Sequence, residues 1–162
     1  MLLQNKNAVI YGAAGSLGRT IAKAFAAEGA KVFLSGHHVA SVQELADEIV
    51  AANGQAEAAE VDALDLAAVN HYVKTVADQA GSIDISFNAI NIQDKQNIYL
   101  TEISLEDFLR PISISMKTQF IILAMMSSSC CMTKAYSIQR IFVVPRMISK
   151  FIMRNKLFSL FL

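Results

Sequence analysis

Along the first 126 residues, short apolar runs alternate with longer stretches in which apolar residues recur every three or four positions. Asn7-Ala8-Val9-Ile10-Tyr11 is a compact apolar run that stops at Gly12, the pattern of a buried strand. Ile21, Ala22, Phe25 and Ala26 repeat at helical spacing, and Gly29 closes that helix. Lys31 to Ser35 reads as a second strand, and Val42, Leu45 and Ile49 mark a second helix that closes near Gly54. Glu57 to Val61 is a weaker third strand ending at Asp62. Val69, Tyr72, Val73 and Val76 mark a third helix ending near Gly81, and Ile83 to Phe87 a fourth strand. Ser104 and Asp107 have the spacing of a capping box. It opens a helix that runs toward Met126, with a kink expected at Pro111. Strand–helix alternation with short connections predicts an α/β fold, a parallel sheet with helices on both faces.

Composition divides the chain. With 54% hydrophobic and 17% charged residues among 162, a sizeable core is expected and wholesale disorder is excluded. No run of 18 apolar residues predicts a membrane span. Met1 to Lys6 lacks the basic start and apolar run of a signal peptide. Cys130 and Cys131 are adjacent and make no disulfide framework, so a reducing cytoplasm is the expected location. The formal charge is zero, but residues 1–120 carry all 14 acids against 8 Lys and Arg, while residues 121–162 carry 6 Lys and Arg and no acid. All seven glycines lie at or before Gly81. We therefore divide the chain into a domain over 1–126 and a compositionally foreign basic, apolar tail over 127–162. In the tail, Arg146, Lys150 and Arg154 fall four apart, with Phe151, Ile152, Phe158 and Phe161 placed away from them and Pro145 fitting a first turn. Three readings of it stand: a helix for a membrane surface or partner, a segment packed on the sheet, or the product of a disrupted reading frame.

Candidate chemistry sits in the first turn. Gly12-Ala13-Ala14-Gly15-Ser16-Leu17-Gly18 lies between the first strand and the first helix. Small residues there let the backbone approach a pyrophosphate, and helix N-terminal N–H groups point at the anion. The spacing, Gly-x-x-Gly-x-x-Gly, differs from the commonest dinucleotide fingerprint because Ala13 replaces a glycine. The strand before it and the helix after it supply the context that such a motif needs. His37, His38 and His71 have no Cys or carboxylate at ligand spacing, so no metal site is expected. The acidic body argues against nucleic acid.

These residues resemble the short-chain dehydrogenase/reductase family over about residues 5–126. Asn5 to Gly12 is similar to its opening strand, with Tyr11 where Thr is usual; Val61-Asp62 resembles the acidic end of its third strand. Asn88-Ala89-Ile90-Asn91 stands at its Asn-Asn-Ala-Gly tetrad and matches at the first position, and Phe108 to Phe120 resembles the long helix that follows. The resemblance implies a Rossmann-type doubly wound sheet, here incomplete with about four of seven strands. It implies Gly12, Ala14, Gly15, Ser16, Leu17 and Gly18 around the pyrophosphate, Asp62 and Ala63 at adenine, and Asn88 and Ala89 at the ribose edge.

An acid at the end of the second strand would bind the ribose hydroxyls of NAD. That region reads Leu34-Ser35-Gly36-His37-His38 and has none. By resemblance, Gly36-His37 stands where NADP users often carry Gly-Arg, which places His37 near the 2′-phosphate and favours NADP over NAD. The alternative is a solvated pair of loop histidines.

The family's chemistry needs a Tyr with a Lys four residues later, and no Tyr-x-x-x-Lys occurs in the chain. Tyr136 has Arg140 at that spacing, but it follows Phe120 too soon, and Arg does not replace Lys. Ser127-Ser128-Ser129 reads as a helix end, and the family's helix Asn aligns with Ser115. No catalytic residue is assigned. The expected function is an NAD(P)-dependent oxidoreductase of small alcohols or ketones, truncated or frame-disrupted and impaired, with a homo-oligomer as the implied assembly. The alternatives are a nucleotide-binding module without catalysis and a protein that binds a membrane or partner through its tail.

Overall fold

The structure, a computed structural model, describes residues 1–91, 95, 97–99 and 101–128. Four strands and four helices alternate: β1 Asn7–Tyr11, α1 Ser16–Ala27, β2 Lys31–Gly36, α2 Val39–Ala51, β3 Gln55–Glu60, α3 Leu66–Ala80, β4 Ile85–Asn88 and α4 Leu105–Ser128. The strands form one parallel sheet in the order β3-β2-β1-β4. The chain winds outward from β1 to β3, then returns to place β4 on the other side of β1. The expected doubly wound architecture is thus present.

Alternation along the strands builds two cores. Ala8 and Ile10 of β1, with Val32 and Leu34 of β2, pack against Ile21, Ala22 and Phe25 of α1 and Val42, Leu45 and Ile49 of α2. Val9, Tyr11 and Phe33 point to the opposite face and pack with Val69, Tyr72, Val73 and Val76 of α3 and Ile121, Ile122 and Met126 of α4. Successive strand side chains face opposite ways, so a strand covered on both faces reads as one apolar run. β1 is such a strand. β3 is an edge strand of Gln, Ala and Glu, which explains its weak signal.

Several boundaries differ from expectation. β3 begins two residues earlier and stops at Glu60, and β4 starts at Ile85, where pairing with Ala8 of β1 begins, while Ile83 is buried in the core just before it. The Ser104 box is present: the Asp107 N–H donates to Ser104 Oγ at 3.1 Å, and the Ser104 hydroxyl donates to the Asp107 carboxylate at 2.8 Å. α4 runs through Pro111 as a single helix and ends at Ser128. Residues 127 and 128 belong to α4. Leu105, Leu109, Ile112, Met116 and Phe120 form an exposed apolar stripe on α4. The candidates Cys130, Cys131 and Tyr136, with the basic segment 141–162, lie outside the described residues. Among the described residues, no helix is long and apolar enough to cross a membrane, and no group of three or more potential metal ligands is present.

Candidate functional site

The carboxyl ends of β1, β2 and β4 converge on the glycine turn. Gly12 leaves β1 with φ +72°, and a side chain there would meet the Ala89 carbonyl oxygen at 2.7 Å. L-residues with a Cβ avoid this conformation, and the space beside it is filled by backbone. The Ala89 N–H donates to the Tyr11 carbonyl at 2.8 Å, locking the end of β4 against the turn. Ala13 is buried, and its N–H donates to the Ser35 carbonyl. Gly18 packs so closely on the turn that an added Cβ would overlap the Gly12 carbonyl oxygen.

The other side of the turn is open. Ala14, Gly15, Ser16 and Leu17 are exposed. Gly15 caps α1 without a side chain, and the first turn has no acid. The N–H groups of Ser16, Leu17 and Gly18 precede the first residue with an intrahelical partner. Arg19 is turned away, with its guanidinium 3.0 Å from Glu48 and 3.4 Å from Glu44 on α2. Gly15 has φ −69°, and an added Cβ would meet only the Gly12 carbonyl oxygen at an ordinary 3.5 Å. The fold does not require glycine there. The open, acid-free start of α1 fits a pyrophosphate held by main-chain donors.

The ends of β2 and β3 lie beside this turn. His37 is exposed, and its Nε2 stands 3.6 Å from Asp62 Oδ1. The same carboxylate oxygen accepts from the Leu64 N–H at 2.8 Å. Ala63 is buried in the core shared with α3 and α4. Glu60, which the sequence reading passed over, accepts from the Val39 N–H at 3.4 Å. It carries no motif; its position follows from the pairing of Gly36 with Glu60.

At the end of β4, both ends of the Asn88 amide are engaged. Its Nδ2 donates to Thr118 Oγ1 at 3.2 Å, and its Oδ1 accepts from the Ile90 N–H at 3.0 Å. Thr118 is buried and also donates to the Ile114 carbonyl. Asn88 thus ties β4 to α4, a link that sequence reading missed because nothing in the Phe108 to Phe120 segment marks Thr118 as the partner of a residue 30 positions away. Ser115 is exposed on α4. The Tyr11 and Tyr72 hydroxyls are buried without a hydrogen-bond partner, and burial pushes both ionisations upward.

Gly12, Ala14, Gly15, Ser16, Leu17 and Gly18 therefore form one turn. His37 and Asp62 meet beside each other, Ala63 is packed inward, and Asn88 and Ala89 close the β4 side.

A family model described as enoyl-(acyl carrier protein) reductase matches residues 12–145, a range that continues past residue 126. An uncharacterized oxidoreductase of Bacillus subtilis is 34% identical over 119 residues, covering 74% of this chain and 43% of that protein. A galactitol 2-dehydrogenase of Agrobacterium fabrum is 39% identical over 117 residues, covering 72% of this chain and 44% of that protein. The crystal structure of a short chain dehydrogenase from Mycobacterium avium superposes with a TM-score of 0.70 at 26% identity, covering 79% of this chain and 48% of that one. This chain spans less than half the length of each of these relatives. Its glycine turn, strand order and matched range establish that the chain belongs to the short-chain dehydrogenase/reductase family.

Proposed function

We propose that this chain is the dinucleotide-binding half of an NAD(P)-dependent oxidoreductase of the short-chain type. The observation that carries the reading is Gly15, a glycine that the fold does not require, at the open and acid-free start of α1. Gly12 and Gly18 shape the turn, while Ala14, Gly15, Ser16 and Leu17 border the pyrophosphate and offer N–H donors to it. Asp62 and Ala63 border adenine, and Asn88 and Ala89 stand at the ribose edge. The absence of an acid at the end of β2, together with the exposed His37, favours NADP over NAD. When bound, the nicotinamide supplies hydride transfer to or from a small alcohol or ketone; the galactitol-acting relative suggests a polyol. We place the protein in the cytoplasm and a homo-oligomer contact on the apolar stripe of α4.

The missing Tyr-x-x-x-Lys pair favours a second element of the reading: this chain holds the dinucleotide without turning it over. The fluorescence of NADPH, titrated with the full chain, tests the first part. Saturable binding is expected, and no binding overturns it. Assays of NADPH oxidation over ketones, and of NADP reduction over polyols, test the second; turnover overturns it. We attribute the compositional change in residues 127–162 to a disrupted reading frame. Sequencing the coding DNA from about codon 118 checks this, with another frame expected to encode the missing pair.

A further inference from the structure

The carboxyl ends of β2 and β3 meet at a turn whose charges come from different strands. β2 ends at Gly36 without an acid, and His37 and His38 follow. His38 occupies the N-cap of α2 and makes no side-chain capping bond, and the first turn of α2 holds no acid. The carboxylate at this helix end arrives from β3 instead. Glu60 stands opposite Gly36 in the register, and its Oε2 accepts from the Val39 N–H at 3.4 Å. Two residues further on, Asp62 Oδ1 lies 3.6 Å from His37 Nε2. Each of the two groups that would greet a 2′-phosphate, the start of α2 and His37, thus already faces a carboxylate.

We infer that Glu60 is a specificity-determining residue that weakens the binding of a 2′-phosphorylated dinucleotide relative to its unphosphorylated form. The inference rests on the reading above, in which a nicotinamide dinucleotide lies across the strand ends with its 2′ position near His37. A phosphate monoester brings about −1.5 to −2 charges. It would compete with Glu60 for the positive end of α2 and be repelled by it through solvent. A free 2′-hydroxyl suffers no such repulsion and can donate to the carboxylate. Glu60 therefore performs from β3 the discrimination that an acid at the end of β2 performs in NAD-selective Rossmann folds. It draws the affinities for NAD and NADP closer together than the bare Gly36-His37 turn would set them.

Calorimetric titration of NAD and NADP into the full chain, native and Glu60→Gln, tests this. Gln keeps an acceptor for the Val39 N–H and removes only the charge. The ratio of Kd for NAD to Kd for NADP should rise about fivefold, the size of one screened charge interaction. An unchanged ratio, or a parallel loss for both cofactors, overturns the inference and makes Glu60 a helix cap alone. Glu60→Ser, at the same exposed position, is the second variant and should move the ratio in the same direction. If the native chain binds neither cofactor, the proposed function and this inference fall together. If it binds and the ratio stays fixed, only the role of Glu60 falls.

Discussion

The carbonyl oxygen of Gly12 occupies the place where a side chain on residue 18 would begin. Three glycines at equal spacing therefore serve different ends. Gly12→Ala forces a left-handed residue against Ala89, and Gly18→Ala overpacks the turn. Each should cost about 1–3 kcal/mol, read as a lower Tm. Gly15→Ala should leave Tm nearly unchanged and weaken NADPH binding at least tenfold, because its added methyl faces the open side. A Tm loss at Gly15 equal to that at Gly18 would contradict this division.

Thr118 is the partner that holds Asn88 in place. Thr118→Val keeps the shape of the side chain and removes the hydroxyl, leaving the half-buried Asn88 amide short of an acceptor. A loss of about 1–2 kcal/mol in denaturant unfolding is expected. Asn88→Ala in the same background should then cost little more, so the two changes should be less than additive.

Tyr11 and Tyr72 pack edge to face at 6.0 Å with both hydroxyls buried. Their ionisation is raised in the folded state by desolvation. The stability this reflects is fully present below the unfolded tyrosine value of about 10 and is lost as pH rises beyond it. Phenolate absorbance during an alkaline titration should show these two tyrosines ionising only as the chain unfolds. Tyr11→Phe deletes an unpaired buried hydroxyl and should be neutral or stabilising, by up to about 1 kcal/mol.

Asp107 titrates at about 2, held down by the hydrogen bonds from Lys95 and Ser104 and by the charges of Lys95 and Arg110. Its contribution is present above the ordinary carboxylate value and is lost as pH falls toward 2. Carboxyl NMR should show Asp107 titrating higher in Lys95→Met. An unmoved titration would mean that Ser104 and Arg110 suffice.

The sequence made the alternating elements legible because β1, β2 and the helices bury whole faces, and burial leaves a period. Gly12 to Gly18 stood out for the same local reason: a turn and a helix start are written in adjacent residues. What could not be read is what depends on register. Glu60 meets Val39 only because β2 and β3 pair as they do. Thr118 meets Asn88 across 30 positions. Pro111 lies inside α4, and the helix is continuous on both sides of it. As the seventh residue of the helix it removes one backbone bond, which the rest of the 24-residue helix outlasts. The family resemblance supplied His37 and Asp62 as separate residues, and only the fold shows them side by side.

The order in which the strands pair sets when the site comes into being. β1 and β2 close a short loop, with Ser35 bonding Ile10 across 25 positions. β4 joins β1 only when Asn7 and Asp84, 77 positions apart, come together. Loop-closure entropy makes the distant pairing the later one. The glycine turn is not buttressed until Ala89 seats against Gly12. A ligand that needs the buttressed turn therefore binds only chains that have completed this last step, and its binding pulls the folding equilibrium in that direction. On the proposed reading, cofactor supply would then help set how much of this protein survives proteolysis.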